Sequence, residues 1–225
     1  AECGLPKERT YVTGSPMAEV LHANLKEIEK SDVLERLGIS AGKYILLSAH
    51  REENIDTEKN FLSLFSAINE LADKYDMPIL YSCHPRSRER LKNSEFVLDS
   101  RVHCHEPFGF HDYNKLQLNA FAVVSDSGTL PEESSFFTSI GKPFPAVCIR
   151  TSTERPEALE KGCFVLAGID KPELLGAVQL AVEMNANSDF GAPVADYTDE
   201  NVSGRVVKII QSYTSIVNKT VWKKQ

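Results

Sequence analysis

The amino-acid sequence predicts an α/β fold in which a parallel sheet is flanked by helices. From Lys43 onward, short β-rich runs alternate with helical patterns, the order expected of parallel strands joined by crossover helices. The β-rich runs are nearly continuous in apolar residues, as is typical of strands buried on both faces. A length of 225 residues with 42% hydrophobic residues is sufficient for one sizeable core.

Six strands and several helices follow from these patterns. The strands are predicted at Tyr44–Ala49, Met77–Ser82, Arg101–Cys104, Phe121–Ser125, Pro145–Ile149 and Phe164–Leu166. Glu58–Tyr75 has apolar residues at helical spacing, which predicts an amphipathic helix that covers one face of the sheet. Further helices are predicted at Arg86–Leu91, Asp112–Leu118, Pro131–Ser139 and Lys171–Met184, and from Asp199 toward Thr214.

The first forty residues do not fit the start of such a domain. Arg9–Gly14 is predicted to be a strand that ends in a glycine turn. A helix near Met17–Leu25 and a charged connector near Lys26–Arg36 are expected to follow it. We therefore interpret residues 1–41 as the remnant of a preceding domain together with its connector.

The rest of the chain divides into a main domain and a tail. Residues 42–210 contain the predicted alternation of strands and helices and form the main domain. Residues 211–225 carry more apolar side chains than a free tail needs. We expect this segment to pack on a missing domain or on a partner.

Composition excludes several classes of function. A formal net charge of -7 argues against binding to nucleic acid or to an anionic membrane, since both require a basic surface. No apolar run approaches the length of a membrane span and no signal peptide opens the sequence, so a cytoplasmic protein is expected.

The metal-binding residue types do not form a recognisable site. The five cysteines are scattered and lack CxxC spacing, which is typical of reduced thiols rather than of a disulfide framework or a zinc site. His103 and His105 would lie on one face of a strand, but a third ligand at a recognisable interval is missing. No metal is expected.

Polar residues follow the predicted strands at one edge of the sheet, where open parallel sheets bind ligands. They are His50 and Arg51, His84, Ser127–Thr129, Arg150 and, farther along, Arg155. The histidines suit phosphate binding or proton transfer, although a structural role is the alternative for each. The arginines could neutralise a diphosphate. Surface salt bridges are the alternative for both arginines, and the favoured one for Arg150.

The segment Ser125–Ser134 (SDSGTLPEES) has the strongest pattern of the chain. It predicts a strand end, a turn of small residues and a helix that begins near Pro131. Such a helix N-terminus favours an anion, with phosphate the natural ligand, and it also favours the carboxylates of Glu132 and Glu133, one of which could accept hydrogen bonds from both ribose hydroxyls. An ordinary capped turn is the alternative. Near the same edge, Tyr113, Phe108 and Phe110 could stack on a base or belong to the core.

Four segments together resemble a known family. Ser48–Asn54 (SAHREEN), Cys83–Leu91 (CHPRSRERL), Ser125–Ser134 and Arg150–Leu159 (RTSTERPEAL) are similar to the non-hydrolysing UDP-N-acetylglucosamine 2-epimerases. The resemblance implies a GT-B architecture of two Rossmann-like halves, of which this chain holds the C-terminal, UDP-binding half. It also implies a homodimer for the full-length enzyme and no cofactor.

The resemblance assigns roles to particular residues. Ser127, Gly128 and Thr129 would hold the diphosphate, and Glu133 would bind the ribose hydroxyls. His84, Tyr113 and Arg155 would also contact the nucleotide, while His50 and Arg51 would be catalytic residues that face the cleft. In such enzymes the C2 proton is lost and UDP is eliminated, and UDP then adds back with C2 inverted. The carboxylates that move this proton are expected in the other half, so this chain alone should bind UDP weakly and be inactive.

Two positions depart from the family pattern. Thr129 replaces a common glycine, and Tyr113 replaces a Phe-type residue. The segments SDSGTLPEESS (residues 125–135) and IRTSTERPE (residues 149–157) look closer to the branch that acts on 6-deoxy or otherwise modified sugars, such as the enzyme that forms UDP-N-acetyl-L-fucosamine. Synthesis of surface polysaccharide precursors is the expected context. A GT-B glycosyltransferase and a nucleotide-binding module without enzymatic activity are the alternatives.

Overall fold

Six parallel strands form one sheet in the part of the chain that the structure describes. The computed structural model describes Gly4, residues 10–150 and residues 155–224. The strands are β1 (Ile45–Ser48), β2 (Ile79–Ser82), β3 (Val102–His105), β4 (Ala122–Ser125), β5 (Ala146–Ile149) and β6 (Val165–Ala167). They are arranged in the order β3-β2-β1-β4-β5-β6, so the direction of winding reverses between β1 and β4.

Helices cover both faces of this sheet. They are α1 (Met17–Lys30), α2 (Val33–Leu37), α3 (Glu52–Ile55), α4 (Glu58–Tyr75), α5 (Pro85–Asn93), α6 (Phe110–Asn119), α7 (Leu130–Ser139), α8 (Pro156–Glu160), α9 (Lys171–Ala186) and α10 (Val202–Thr220). Ile45 and Leu47 of β1 pack into the core beneath α4 and α9. Leu46 packs on the opposite face with α1, α6 and α7. The predicted α/β, Rossmann-like fold class is confirmed.

The predicted and observed elements nearly coincide within the main domain. The helix predicted at Glu58–Tyr75 has these bounds in the structure. Thr57 begins it by accepting a hydrogen bond from Asn60 N, and Asp76 ends it in the left-handed conformation. The capping residues and the apolar spacing therefore indicate the same boundaries for α4.

The expectation that every strand is buried on both faces is wrong for the two edge strands. In β3, His103 and Cys104 are exposed, and in β6, Val165 and Leu166 are only half-buried. Each of these strands has a neighbour on one side only, so the helices cover it less completely. The four inner strands are as buried as predicted.

The predictions for the first forty residues need correction. Thr10–Gly14 does not form a strand, and Arg9 lies outside the described residues. This segment runs beside α10, where the rings of Tyr11 and Tyr213 are 5.4 Å apart. The predicted connector is largely helical, because α1 continues to Lys30 so that Ile28 is buried in the core.

The last helix, α10, carries an apolar face that the described residues leave uncovered. Only Val202 of α10 is buried among the described residues, whereas Val207 and Ile210 are exposed. Trp222, which follows the end of the helix, is exposed too. The helix also extends farther than predicted, so that residues 211–220 are helical. Neither α10 nor any other helix in the described part of the chain is both long and apolar enough to cross a bilayer.

Candidate nucleotide site

The reversal of strand order brings two loops together at the carboxyl edge of the sheet. Ser48 at the end of β1 is in register with Ser125 at the end of β4. Asp126 N–H donates to Ser48 O over 3.1 Å, which continues the pairing into the loops. The residues that follow β1 and β4 therefore flank one crevice, the place where open α/β sheets bind ligands.

A cavity of about 340 Å³ opens at this edge. Six of the nine predicted site residues line it: His50, His84, Tyr113, Ser127, Thr129 and Glu133. Phe108 and Phe110 also line it. Its volume and its mixture of aromatic and polar walls are suitable for part of a small ligand.

Asp126 is the side chain at this edge that the motif analysis overlooked. It is fully buried, and its Oδ2 accepts hydrogen bonds from the backbone N–H groups of His50 and Arg51 at 2.9 and 2.8 Å. Asn54 Nδ2 donates to the same oxygen at 3.2 Å and to Ile149 O at 2.9 Å. This carboxylate fixes the loop after β1 against the loop after β4.

The turn Ser127–Thr129 is organised by its own hydroxyl groups. Ser127 Oγ and Thr129 Oγ1 are 2.9 Å apart, and Thr129 N–H donates to Ser127 Oγ at 3.3 Å. The helix α7 that follows offers fewer backbone donors than its position suggests, because Pro131 has no N–H and Leu130 N–H donates to Ser127 O. Because Thr129 Oγ1 donates to Glu133 Oε1, Ser127 Oγ donates to Thr129 Oγ1, so the two hydroxyl protons of the turn are held in this chain of hydrogen bonds.

Glu133 is buried at the floor of the cavity. Its Oε2 accepts from Gln117 Nε2 at 2.7 Å, and its Oε1 accepts from Thr129 Oγ1 at 2.8 Å. Burial raises the pKa of Glu133, and these two hydrogen bonds offset part of that effect. A buried carboxylate held by neutral donors is typical of a functional site.

The two histidines of the cavity differ in the group that their Nδ1 atoms contact. His84 begins α5, and its Nδ1 accepts a hydrogen bond from Arg86 N–H at 3.4 Å. The proton of a neutral His84 ring therefore lies on Nε2, which can donate to an anion. His50 has its side chain 45% exposed, and its Nδ1 is 3.1 Å from Asp126 Oδ1.

Tyr113 of α6 forms part of the wall opposite the turn. Its side chain is partly exposed in the cavity, beside Phe108. Burial raises the pKa of the Tyr113 phenol, and the negative charge of Glu133 adds to this effect. The phenol therefore stays protonated and can act as a hydrogen-bond donor.

Two guanidinium groups converge on Gly128. A Cβ at this position would lie 3.3 Å from Arg51 Nη2 and 3.9 Å from Arg150 Nη1, so glycine permits their approach. Arg150 pairs with Glu53 at 3.6 Å, but the favoured expectation of a surface salt bridge is wrong, since Arg150 is only 7% exposed. In the sequence, the feature that could have indicated this burial is that Arg150 directly follows the buried strand β5.

Arg155 lies apart from the other predicted site residues. Its Nε and Nη2 both donate to Glu132 Oε1 at 2.8 Å, and Glu132 Oε2 accepts from Ser15 Oγ. These residues line a neighbouring cavity, which shares Thr129 with the first. The structure therefore brings eight of the nine predicted residues to the crevice and holds the ninth beside it.

Comparison with known proteins identifies the family of the chain. A family model described as UDP-N-acetylglucosamine 2-epimerase matches residues 1–211. The chain belongs to this family. The UDP-N-acetylglucosamine 2-epimerase of Methanococcus maripaludis is 32% identical over 200 residues, which are 84% of this chain and 52% of that protein.

Solved structures of the family share the fold. The UDP-N-acetylglucosamine 2-epimerase of Rickettsia bellii superposes with a TM-score of 0.86 at 35% identity, over 99% of this chain and 58% of that one. The Methanocaldococcus jannaschii enzyme, solved in complex with UDP-GlcNAc and UDP, has a TM-score of 0.78 at 27% identity, over 94% of this chain and 57% of that one. The chain spans about half the length of the curated relatives it matches.

Proposed function

We propose that this chain is the nucleotide-binding half of a UDP-sugar 2-epimerase and that it holds UDP between the carboxyl ends of β1 and β4. The observation that carries the proposal is the convergence of six predicted residues on one cavity at the reversal of strand order. The complex of the M. jannaschii relative with UDP-GlcNAc and UDP supports this choice of ligand. The family match favours it over a glycosyltransferase or a binding module without activity.

The diphosphate would lie over the turn Ser127–Thr129. There Gly128 N–H would donate to the diphosphate, and the Ser127 and Thr129 hydroxyls would donate to it after they turn from their present hydrogen bonds. Arg51 Nη2 lies beside Gly128, 3.3 Å from the position that a Cβ would take. His84 Nε2–H would donate to a phosphate oxygen from the opposite side. Together these groups place positive charge and neutral donors around the anion.

The nucleoside would extend from the turn toward α6. Glu133 would accept hydrogen bonds from the ribose hydroxyls, because each of its oxygens accepts one hydrogen bond at present and can accept another. Tyr113, with Phe108, provides a flat surface against which the base would pack. Arg155 would join the nucleotide only after a change in its pairing with Glu132.

Catalysis would proceed by elimination and re-addition of UDP. Loss of the C2 proton and cleavage of the bond between C1 and the UDP oxygen leave a 2-acetamidoglucal, and re-addition with protonation on the opposite face inverts C2. The leaving diphosphate gains negative charge, which Arg51, His84 and the hydroxyls of the turn would stabilise. His50 and Arg51 would face the sugar side of the cleft. The carboxylates that handle the C2 proton would come from the other half, so this chain alone would not turn over.

The uncovered face of α10 is the surface on which we expect that other half to pack. An apolar strip including Val207 and Ile210 is larger than isolated exposed residues require. A homodimer of the full-length enzyme, a cytoplasmic location, a role in surface polysaccharide precursor synthesis and the preference for the fucosamine branch remain predictions at this stage.

Titration calorimetry with UDP, UMP and uridine tests the proposal. We expect UDP to bind in the micromolar to millimolar range, more tightly than UMP and uridine, because the diphosphate contacts are the most numerous. Ser127→Ala should weaken the binding of UDP and leave the affinity for uridine unchanged. Ser212→Ala on the exposed face of α10 is the matched control. Equal affinities for UDP and uridine, or no loss in Ser127→Ala, would contradict the placement.

A further inference from the structure

The buried carboxylate of Asp126 has one oxygen that the loop contacts do not use. Oδ2 receives three donors, namely the N–H groups of His50 and Arg51 and the side chain of Asn54. Oδ1 has no aligned hydrogen bond among the described residues. The nearest ionisable nitrogen is Nδ1 of His50, at an ion-pair distance of 3.1 Å.

The chemistry of this contact determines where the proton of His50 lies. A carboxylate only accepts hydrogen bonds, whereas a neutral imidazole has one donor nitrogen and one acceptor nitrogen. Since Asp126 Oδ1 faces Nδ1, the favourable tautomer carries its proton on Nδ1. Nε2, on the other side of the ring, is then an acceptor. The half-exposed ring presents it to the cavity that His50 lines.

We propose that Asp126 is a positioning residue that holds His50 with its proton on Nδ1 and with Nε2 as a proton acceptor in the cleft. The role of that acceptor in turnover rests on the proposed function, whereas the position of the proton does not. His50 then acts through Nε2 on the substrate, and Asp126 acts only through His50.

The surroundings of Asp126 are built to keep it in one orientation. Asn54 Nδ2 bridges Asp126 Oδ2 and Ile149 O, so that it ties the carboxylate to the end of β5. The two backbone donors fix the main chain of His50 relative to the same carboxylate. The carboxylate of Asp126 is therefore fixed to the backbone of the residue whose ring it faces, which limits the motion of ring and carboxylate relative to each other.

His84 provides the opposite arrangement in the same cavity. Its Nδ1 accepts from Arg86 N–H, which leaves its proton on Nε2. One histidine therefore offers an acceptor to the cleft and the other a donor. His84 can therefore donate to an anion, while His50 can accept a hydrogen bond from a hydroxyl or an N–H group of the substrate.

Nitrogen-15 NMR of the histidine side chains in the 225-residue chain tests the proposal. At a pH where the shifts show the ring to be neutral, we expect His50 to carry its proton on Nδ1, with His50→Gln used to assign its signals. His111 is an internal reference of the other tautomer, because its Nε2 is 2.8 Å from Asn24 Oδ1. A wild-type His50 with its proton on Nε2 overturns the proposal, without any variant.

Asp126→Asn tests whether the carboxylate of Asp126 determines the tautomer of His50. The amide can still accept from the loop N–H groups, but its NH2 group would face His50 Nδ1, so the tautomer should invert to Nε2–H. Glu200→Gln is the matched control, since Glu200 faces His22 Nδ1 at 2.7 Å and should alter His22 alone. If Asp126→Asn loses the native amide spectrum, Asp126→Glu replaces it, and retention of Nδ1–H with a carboxylate is expected. A native-like Asp126→Asn whose His50 tautomer is unchanged overturns the proposal.

The consequence for turnover is measured with both halves of the enzyme present. Asp126→Asn should lower kcat by roughly 10²- to 10⁴-fold with little change in the affinity for UDP, as expected for an inverted tautomer rather than a lost ligand contact. An unchanged kcat together with an inverted tautomer would overturn the positioning role. Failure of UDP to bind the wild-type chain would instead count against the proposed function and would leave the tautomer result standing.

Discussion

Glu132 and Glu133 are neighbours in the first turn of α7 and are equally buried, yet their surroundings differ in kind. Glu132 is paired with Arg155 through two contacts of 2.8 Å and accepts from Ser15. Glu133 is held, among the described residues, by the neutral donors Gln117 and Thr129. Successive helical residues point about 100° apart, which is why the two carboxylates face different cavities.

The difference separates a structural carboxylate from a candidate ligand-binding one. An arginine compensates the burial of Glu132, so that its contribution is to the fold. Glu133 is buried without such a cation in the described part of the chain, and burial raises its pKa. A fold tolerates an uncompensated carboxylate where function requires it. Substitutions at the two positions should therefore have opposite consequences.

The largest effect on stability is expected from Glu132→Gln. It removes the carboxylate from the buried pair with Arg155 and should lower the free energy of unfolding by about 2 kcal/mol, less than for a fully buried pair because Arg155 is partly exposed. The melting temperature should fall by about 4–8 °C. Glu200→Gln on the surface is the control and should change stability by less than about 0.5 kcal/mol. Equal stability of the two variants would mean that Glu132 is not structural.

Glu133→Gln should instead affect binding. The amide can accept from Gln117 and donate to Thr129, so the fold keeps its local hydrogen bonds. It has only one acceptor oxygen for the ribose hydroxyls, and we expect UDP to bind about tenfold more weakly, or about 1.4 kcal/mol. Calorimetry checks this result. An affinity equal to that of the wild type would remove Glu133 from the nucleotide site.

The pH dependence of stability should differ between Glu133→Gln and the wild type. Because the pKa of Glu133 is raised, the folded chain keeps this proton to higher pH than the unfolded chain does. The free energy of unfolding therefore falls as the pH rises from the ordinary glutamate pKa through the raised one. Glu133→Gln lacks this loss, so its advantage over the wild type should grow across that window and then level off. Urea unfolding between about pH 4 and pH 8 measures the difference, and an advantage that shrinks with pH would contradict the raised pKa.

The smallest effect is expected on α10, far from both glutamates. Ile210 is exposed, so Ile210→Lys should change the stability of the 225-residue chain by less than about 0.5 kcal/mol. In a protein that also contains the other half, the same substitution should destabilise the assembly, because it places a charge in an apolar contact. A loss above about 1 kcal/mol in this chain alone would show that the helix face is already covered.

Much of the fold and of the candidate site could be predicted from the sequence. The apolar runs identified all six strands, and the order of loops along the chain identified the residues that gather at the crevice. Sequence reasoning could not separate Glu132 from Glu133, because the helix dipole favours both at a helix start. Only the positions of Arg155 and Gln117, distant in sequence, distinguish them.

Other features depended on tertiary contacts that local pattern does not contain. The sequence favours a surface position for Arg150, because its nearness to Gly128 and Glu53, which are distant in sequence, is not visible in the local pattern. The sequence assigns no role to Asp126, since its donors come from a loop some seventy-five residues earlier in the chain. Thr10–Gly14 looked like a strand because strand propensity does not reveal whether a partner strand is present.

A crystal structure of the chain with UDP tests the central claim most directly. We expect the diphosphate to lie over Ser127–Thr129 and the ribose hydroxyls to lie within hydrogen-bond distance of Glu133, in the cavity lined by His50 and His84. UDP bound in the neighbouring cavity between Glu132 and Ser15, or at any place away from Ser127 and Glu133, would contradict it.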